Sequence, residues 1–266
     1  MKQTTVAHSD KQQSSGVSLA GRFRQFVKNG ARDWGITATR LKLMLTIPFL
    51  IALSGAVAAL LGKEAYKLFT REDGIAETLQ VLCWIGSLVL ALNIIRNYGK
   101  SGNRAITTLY IVLAVGIFFM IGEEISWGQR MFGWETPESY AQINKQEETN
   151  LHNIYGIGYT FKWLHLLVAA YGVFMPLLLL RSRKLQPYRE ELSMLVPHYT
   201  LVPFFFLPFA WRLYRNLFPA PKDFYFVVSE YSEVMELVLV SGILLFLLFQ
   251  KRWLAKKEQP NSNGLL

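Results

Sequence analysis

Six apolar runs, each about 20 residues long, constrain the fold of this chain more than any other feature. They cover roughly residues 43–62, 75–95, 106–126, 159–180, 196–215 and 229–249, and the fifth contains three prolines. A helix of that length crosses a bilayer, and it satisfies its own backbone hydrogen bonds in lipid. The sequence therefore predicts an all-α fold: a polytopic membrane bundle of about six transmembrane helices.

The composition supports this class. Hydrophobic residues make up 52% of the chain and charged residues 18%, whereas soluble domains usually carry about 25% charged residues. The net charge of +9 could indicate a nucleic-acid partner, but the basic residues cluster between the apolar runs and at the two ends. We therefore expect membrane lipids, and no nucleic acid, as partners. The only cysteine, Cys83, lies in an apolar run and excludes an internal disulfide.

Lysine and arginine counts predict the orientation. With the N-terminus inside, residues 1–42, 96–105, 181–197 and the C-terminal tail hold 19 of the 28 basic residues. Basic loops stay on the cytoplasmic side. We therefore expect both termini in the cytoplasm. Residues 1–16 are polar and lack the apolar centre of a cleavable signal peptide.

Three regions follow from this topology. Residues 1–40 form a basic cytoplasmic tail, residues 41–250 the six-helix transmembrane domain, and residues 251–266 a second basic cytoplasmic tail. The stretch 17–34 places apolar and basic side chains at helical spacing, which predicts a short amphipathic helix. This helix either lies on the anionic cytoplasmic leaflet or serves as a basic flank that enforces the topology.

Carboxylates gather where three predicted helices meet the outer boundary. Glu77 lies near the start of the second run, Glu123 and Glu124 end the third, and Glu230, Glu233 and Glu236 follow one another at i, i+3 steps where the sixth run begins. If that helix spans fully to residue 249, Glu236 lies roughly 9 Å inside the outer boundary. An unpaired carboxylate at the centre of a membrane costs about 2.5–3.5 kcal/mol on insertion scales. These groups must therefore be paired, protonated, hydrated or bound to a metal.

The loop between the third and fourth runs is predicted to be structured. In WETPESYAQINKQEETNLHN, Thr136 can cap a helix whose first position is Pro137. We expect a short helix on the outer surface, which returns QEETNLHN over the mouth of the bundle. If that last turn stays helical, Glu148 and His152 share a face because they are four residues apart.

Carboxylates with histidine in a partly dry site suit two kinds of chemistry, namely holding a divalent cation and general acid–base catalysis. Planar guanidinium groups suit an anionic head group. We therefore assign catalytic roles to Glu123, Glu124, Glu233 and His152, and substrate binding to Arg130, Arg212, Asn150 and Asn153. As ligands of a divalent metal ion of unknown identity we assign Glu123, Glu124, His152, Glu230 and Glu233.

These residues favour a metal-assisted enzyme that acts on a lipid or lipid-linked, amphiphilic substrate from the extracytoplasmic side. Two alternatives remain open: a cation- or proton-coupled transporter, and a non-catalytic assembly protein whose acids fix helix packing through arginines such as Arg130, Arg212 and Arg215. The sequence contains no HExxH, GxSxG, Walker or EF-hand signature. His165 is expected to be a plain interface residue.

The stretch GEEISWGQRMFGWETPE, followed by NKQEETNLHN, resembles a stretch of bacterial integral membrane proteins that have no assigned activity. The resemblance covers about residues 72–153 and, weakly, SEYSEVMEL at the start of the last helix. It implies a location in the bacterial cytoplasmic (inner) membrane and says nothing of a substrate.

Overall fold

A computed structural model describes residues 18–71, 73–99 and 103–258 of the chain, and these residues form helices joined by short connections. The helices are α1 Leu19–Trp34, α2 Ala38–Leu60, α3 Lys63–Thr70, α4 Ile75–Tyr98, α5 Arg104–Glu124, α6 Gln129–Phe132, α7 Glu138–Ala141, α8 Ile157–Arg181, α9 Arg189–Leu195, α10 Val202–Leu217 and α11 Tyr225–Glu258. No strand forms among these residues beyond one isolated antiparallel bridge between Asn144 and Ile154.

Helix α1 lies within the stretch 17–34, where the sequence predicted a short amphipathic helix. The side chain of Ser18 caps it by accepting a hydrogen bond from the N–H of Gly21 at 3.2 Å, which satisfies one of the unpaired donors of the first turn. Gly35 ends it with φ 64°, in the left-handed conformation that glycine adopts without strain. The described chain divides into two compact units after Lys42, and α1 belongs to the first.

Five helical segments are long and apolar enough to cross a membrane, and a bent pair raises the number to six if the pair forms one span. The five are Ala38–Leu60, Lys63–Tyr98, Arg104–Glu124, Ile157–Arg181 and Lys222–Lys257. The all-α fold predicted from the sequence, with about six helices that could span a membrane, is therefore confirmed.

The fifth predicted span, 196–215, does not begin as a helix at residue 196, and its helix is bent against the segment before it. Arg183–Leu195 and Tyr199–Leu217 are bent against each other by 55°. Val196, which precedes Pro197, is extended with φ −93° and ψ 130°, because the proline ring disfavours a helical residue before it. The helix resumes at Val202, with Pro203 in its first turn, where the missing N–H costs nothing.

The helices of the second unit pack in the order α5, α4, α11, α10, α8. Small residues permit close approach along this row. A Cβ atom on Gly172 of α8 would lie 2.1 Å from the ring of Phe205, and one on Gly242 of α11 would lie 2.8 Å from Phe204. Helix α2 contacts α11 through the hydroxyl of Tyr231, which donates to the Ala52 carbonyl at 2.7 Å.

The row leaves a gap between its two ends. In the described part of the chain, α5 and α8 do not pack along each other. The rings of Phe119 and Phe161 meet across the gap, with centroids 6.5 Å apart. Two hydrogen bonds attach α9 to the other end of the bundle. The hydroxyl of Tyr110 donates to the Met194 carbonyl at 2.6 Å, and the amide of Gln250 donates to the Ser193 carbonyl at 2.7 Å.

Candidate active site

The sequence-predicted carboxylates lie at one end of the bundle, where α4 and α11 begin and α5 ends; we call it the acidic end. Glu77 is in the first turn of α4, and α5 ends in Glu123 and Glu124. Helix α11 starts at Tyr225, so its acids at 230, 233 and 236 occupy its second to fourth turns. Gln80 joins two of these helices, because its amide donates to the Glu233 carbonyl at 3.1 Å.

Glu123 is fully buried and holds the loop that follows α5. Its carboxylate accepts hydrogen bonds from the N–H groups of Leu151 at 2.7 Å and His152 at 2.9 Å, and from Trp127 Nε1 at 2.9 Å. The ring Nδ1 of His152 lies 3.3 Å from the same carboxylate. The structure therefore places Glu123 at the base of the loop, and its neighbour Glu124 in the walls of the cavities described below.

A buried polar network stabilises the rest of this loop. Ser126 Oγ donates to the Glu148 carboxylate, and the Asn150 amide donates to Glu148 at 2.7 Å and to Ser126 Oγ at 3.1 Å. Asn144 donates to the Asn150 carbonyl at 2.8 Å. All four side chains are less than 9% exposed. Asn150, predicted to bind substrate, thus lies inside the loop network.

The short helix predicted in this loop is present, but its predicted Thr136 cap is wrong, and the turn from Glu148 to His152 is not helical. The outer helix is a single turn, Glu138–Ala141, and its N-cap is Pro137. Thr136 does not cap it, since its hydroxyl accepts a hydrogen bond from Gln129 Nε2 at 2.7 Å. No helix connects Glu148 and His152. Glu148 belongs to the polar network, and His152 is hydrogen-bonded to Glu123. Side-chain hydrogen bonds to loop backbone compete with helix formation here.

His152 lies between the loop and the carboxylates. Burial alone would lower the pKa of His152, but its hydrogen bond to Glu123 and the negative charges of Glu124, Glu123 and Glu236 outweigh burial, so the pKa is raised. A raised pKa means that the imidazolium form is favoured by its surroundings. Glu123 therefore fixes the position of His152 through the backbone N–H and the ring Nδ1.

The largest cavity at the acidic end, which we call the acidic cleft, has a volume of about 700 Å³. Four of the predicted site residues line it: Glu124, His152, Glu230 and Glu233, together with Asn153 of the predicted substrate-binding set. Residues from α4, α5, α11 and the loop therefore meet in one place, as the topology predicted. Glu123 and Asn150 are not among them.

A second cavity of about 240 Å³, the basic cleft, adjoins the first and shares Glu124, His152, Asn153 and Glu233 with it. Its other walls carry Lys145, Lys162, Arg212 and Arg215. Arg212 is buried and donates to Glu236 at 2.9 Å. Arg212 thus pairs with a carboxylate of α11 rather than with the two that end α5.

The third cavity, the apolar groove, has a volume of about 440 Å³ and runs along the gap between α5 and α8. It shares Glu124, His165 and Glu236 with the basic cleft. His165 Nδ1 lies 3.3 Å from Glu236 Oε1, a contact of ion-pair distance without hydrogen-bond alignment. The polar end of the groove is therefore the point where these three cavities meet.

Residues beyond the sequence-predicted set take part in this geometry. His165 was expected to be a plain interface residue, yet it faces Glu236 and lines two cavities. Lys162, one turn before it, lines the basic cleft. The sequence feature that could have indicated this role is a histidine and a lysine three residues apart inside an apolar run.

The metal assignment is not supported by a preformed ligand set. Among the described residues, no group of three or more His, Cys, Asp or Glu side chains is arranged to hold a metal ion. Glu123 already accepts several hydrogen bonds, whereas Glu124, His152, Glu230 and Glu233 face a common cleft. The side chain of Arg130, also assigned to substrate binding, lies outside the part of the chain that the structure describes.

Comparison of this chain with protein-family models, with curated proteins and with solved structures finds no match. The geometry of the acidic end is therefore the basis for assigning a function.

Proposed function

We propose that this protein is a membrane-embedded enzyme that acts on a lipid or lipid-linked substrate at the acidic end of its bundle. One observation carries the proposal: the apolar groove and the two polar clefts all share Glu124, and the groove also shares His165 and Glu236 with the basic cleft. Pockets that combine apolar walls with a few convergent polar groups are typical of ligand sites. A lipid whose acyl chain lies in the groove would place its head group against these residues.

The residues at this junction are suited to general acid–base catalysis. Glu124 and Glu233 line the acidic and basic clefts, and each is influenced by the charge of Glu236. Carboxylates held close together in a partly dry site can divide acid and base roles between them. His165 contacts Glu236, which Arg212 holds from the other side. A base oriented by a third group is the usual arrangement for proton transfer.

His152 would supply a second proton carrier on the cleft side. Because Glu123 fixes the backbone of the loop at Leu151 and His152, the imidazole is positioned by a buried carboxylate. Glu123 would then act through His152 as a positioning residue, whereas Glu124, Glu233 and His152 would meet the substrate. Asn153, which lines both polar clefts, would contribute to binding.

We place the acidic end on the extracytoplasmic side of the membrane. This orientation is supported by the excess of lysine and arginine in the segments that flank the opposite end. The bacterial inner membrane is proposed from the resemblance of the EEISWGQR region.

The test is turnover by the protein purified in a maltoside detergent and incubated with a total bacterial lipid extract, followed by mass spectrometry of the lipids. We expect one lipid class to be consumed and a product to appear. Glu124→Gln and Glu233→Gln should reduce the rate by about 100-fold or more, the usual range for loss of a general acid or base. Glu190→Gln is the matched control, because Glu190 pairs with Lys257 on a distant helix pair.

Retention of full turnover by both cleft variants would contradict the catalytic assignment. Absence of turnover, together with ion flux in proteoliposomes that the same variants abolish, would favour the transporter alternative. Loss of folding in both variants, with neither activity in the native protein, would favour the role in helix packing.

In the metal-assisted form of the proposal, one metal ion would be coordinated by side chains that line the acidic cleft: Glu124, His152, Glu230 and Glu233. Carboxylate oxygens suit magnesium or manganese, and an imidazole admits zinc. Elemental mass spectrometry of the purified protein should then find one ion per chain, lost in His152→Ala and Glu233→Gln while both stay folded. Metal-free protein with full turnover would restrict the mechanism to acid–base catalysis.

A further inference from the structure

The two polar clefts carry opposite charge, although they share a wall. The acidic cleft is lined by five carboxylates and one arginine: Asp73, Glu77, Glu124, Glu230, Glu233 and Arg71. The basic cleft brings Lys145, Lys162, Arg212 and Arg215 to the other side of Glu124 and Glu233. A bound head group that bridges both clefts would therefore meet an acidic surface at one end and a basic surface at the other.

Part of this basic charge is not neutralised by the protein itself. Arg212 pairs with Glu236, but Lys145 and Lys162 make no ion pair with any carboxylate in the described part of the chain. Both lysines are exposed at the cleft wall. On the acidic side, Glu230 is half-buried and likewise forms no ion pair among the described residues. Charges of both signs are thus available to a ligand.

Besides His165 Nδ1, which faces Glu236, the apolar groove contains two buried polar atoms that lack hydrogen-bond partners. Trp84 is 7% exposed and Gln80 is fully buried, and both line the groove. Neither the indole Nε1 of Trp84 nor the amide Oε1 of Gln80 has a hydrogen-bond partner among the described residues. A buried donor without an acceptor is costly and rare. A ligand with a carbonyl group near the polar end of its chain would satisfy the indole N–H.

From these three observations we infer that the site takes a zwitterionic phospholipid. Its amine lies in the acidic cleft, its phosphate lies against the basic cleft, and its ester-linked chain lies in the apolar groove beside Trp84. This inference deepens the proposed function, on which it rests, by naming the substrate class. Ammonium groups pair with carboxylates and phosphate pairs with lysine and arginine, so the order of charges along the head group matches the order of the clefts.

Other lipids match fewer of these features. A phosphatidylglycerol head brings a phosphate for the basic cleft but leaves the acidic cleft without a cation. A diacylglycerol offers the ester and the chain but no charge. Leaving buried or half-buried charges unpaired is unfavourable. Phosphatidylglycerol and diacylglycerol should therefore bind less tightly than a lipid that carries both a phosphate and an amine.

The test is native mass spectrometry of the full-length protein released from maltoside micelles doped with equal amounts of phosphatidylethanolamine, phosphatidylglycerol and diacylglycerol that carry the same chains. We expect phosphatidylethanolamine to be retained about tenfold over phosphatidylglycerol, which corresponds to about 1.4 kcal/mol. Equal retention of these two phospholipids by the native protein would overturn the inference.

Three variants separate the contacts. Lys162→Ala should weaken retention of both phospholipids alike, and Glu230→Gln should abolish the preference for the amine. Trp84→Phe keeps an aromatic side chain but removes the N–H, so it should weaken retention of diester lipids more than that of diether lipids with the same head group. The matched controls are Lys67→Ala and Glu64→Gln, which change the same charges on α3 at an exposed ion pair and should change nothing. Unchanged lipid selectivity in folded Glu230→Gln would also overturn the assignment.

The failure of this inference is distinguishable from failure of the proposed function. If diacylglycerol and both phospholipids are retained equally while a lipid is still turned over, the head-group assignment fails and the enzyme remains. If no lipid is retained and none is turned over, both fail.

Discussion

Replacing Glu123 by glutamine should open the loop that follows α5 without unfolding the bundle. The carboxylate accepts three well-aligned N–H groups, two from the backbone of Leu151 and His152 and one from Trp127. A glutamine amide has one accepting oxygen in place of two. If that oxygen keeps the two backbone donors, the amide nitrogen faces the indole N–H, and one hydrogen bond is lost.

The expected magnitude follows from these bonds. Hydrogen bonds to a charged acceptor contribute about 1.5–3 kcal/mol each, and neutral bonds contribute about 0.5–1.5 kcal/mol. Losing the indole bond and weakening the two backbone bonds amounts to roughly 3–5 kcal/mol, which the easier burial of a neutral group reduces to about 2–4 kcal/mol. Trp127→Phe removes a single donor and should cost about 1.5–3 kcal/mol.

Native-state hydrogen exchange measures this effect directly, because it reports local opening separately from global unfolding. Amides of residues 144–154 should exchange roughly 30-fold to 1,000-fold faster in Glu123→Gln, since each 1.4 kcal/mol is a factor of ten. Amides in α4 and α11 should keep their protection. Glu190→Gln on the distant helix α9, where Glu190 pairs with Lys257, is the control and should leave the loop unchanged. Unaltered exchange in this loop of a folded Glu123→Gln protein would refute the assignment of Glu123 as its anchor.

Three further predictions concern charge and packing. The pKa of His152 is raised in the folded state. Protection of the loop amides should therefore be full below the unfolded pKa of about 6.5 and should decline as pH rises through the folded pKa. Hydrogen exchange measured against pH should show this decline, and His152→Gln should lack it. Gly172→Ala should lower the free energy of unfolding in mixed micelles by about 1–3 kcal/mol, because the new Cβ would overlap the ring beneath it. Gly116→Ala, with no atom within 4 Å of the new Cβ, should be neutral or stabilising; equal losses would contradict the packing argument. Arg212→Met should destabilise the protein by about 3–5 kcal/mol because it leaves a partly buried carboxylate without its cation, and Glu236→Gln in the same chain should restore part of that loss in thermal unfolding.

The apolar spans could be predicted from the sequence because their length and composition carry the signal locally. The bend at the start of the fifth span was also encoded locally, since Pro197 disfavours a helical conformation in the residue before it, Val196. A count of apolar residues starts that run at Val196, whereas the α-helix starts at Val202. Its three prolines were the better guide to the structure.

The clustering of the acids could be predicted from topology, but their division of roles could not. Glu123 and Glu124 are adjacent and chemically identical, and which of them turns inward depends on the loop backbone. Residues Ser126 and Trp127 adopt positive φ values of 47° and 53°, which few sequence rules anticipate for residues other than glycine. The partners of Glu123 lie 28 and 29 residues further along the chain, beyond the reach of local patterns.

The gap between α5 and α8 determines how a substrate would reach the site. Two residues that line the groove, Val112 on α5 and Leu164 on α8, are 62% and 48% exposed on the side of the bundle. A lipid would therefore enter sideways by diffusion within the leaflet and would never need to pass through water. Its supply depends on its mole fraction in the membrane. In detergent, the apparent KM should rise as the substrate is diluted with more micelle at constant molarity, a surface-dilution behaviour that an enzyme fed from solution does not show.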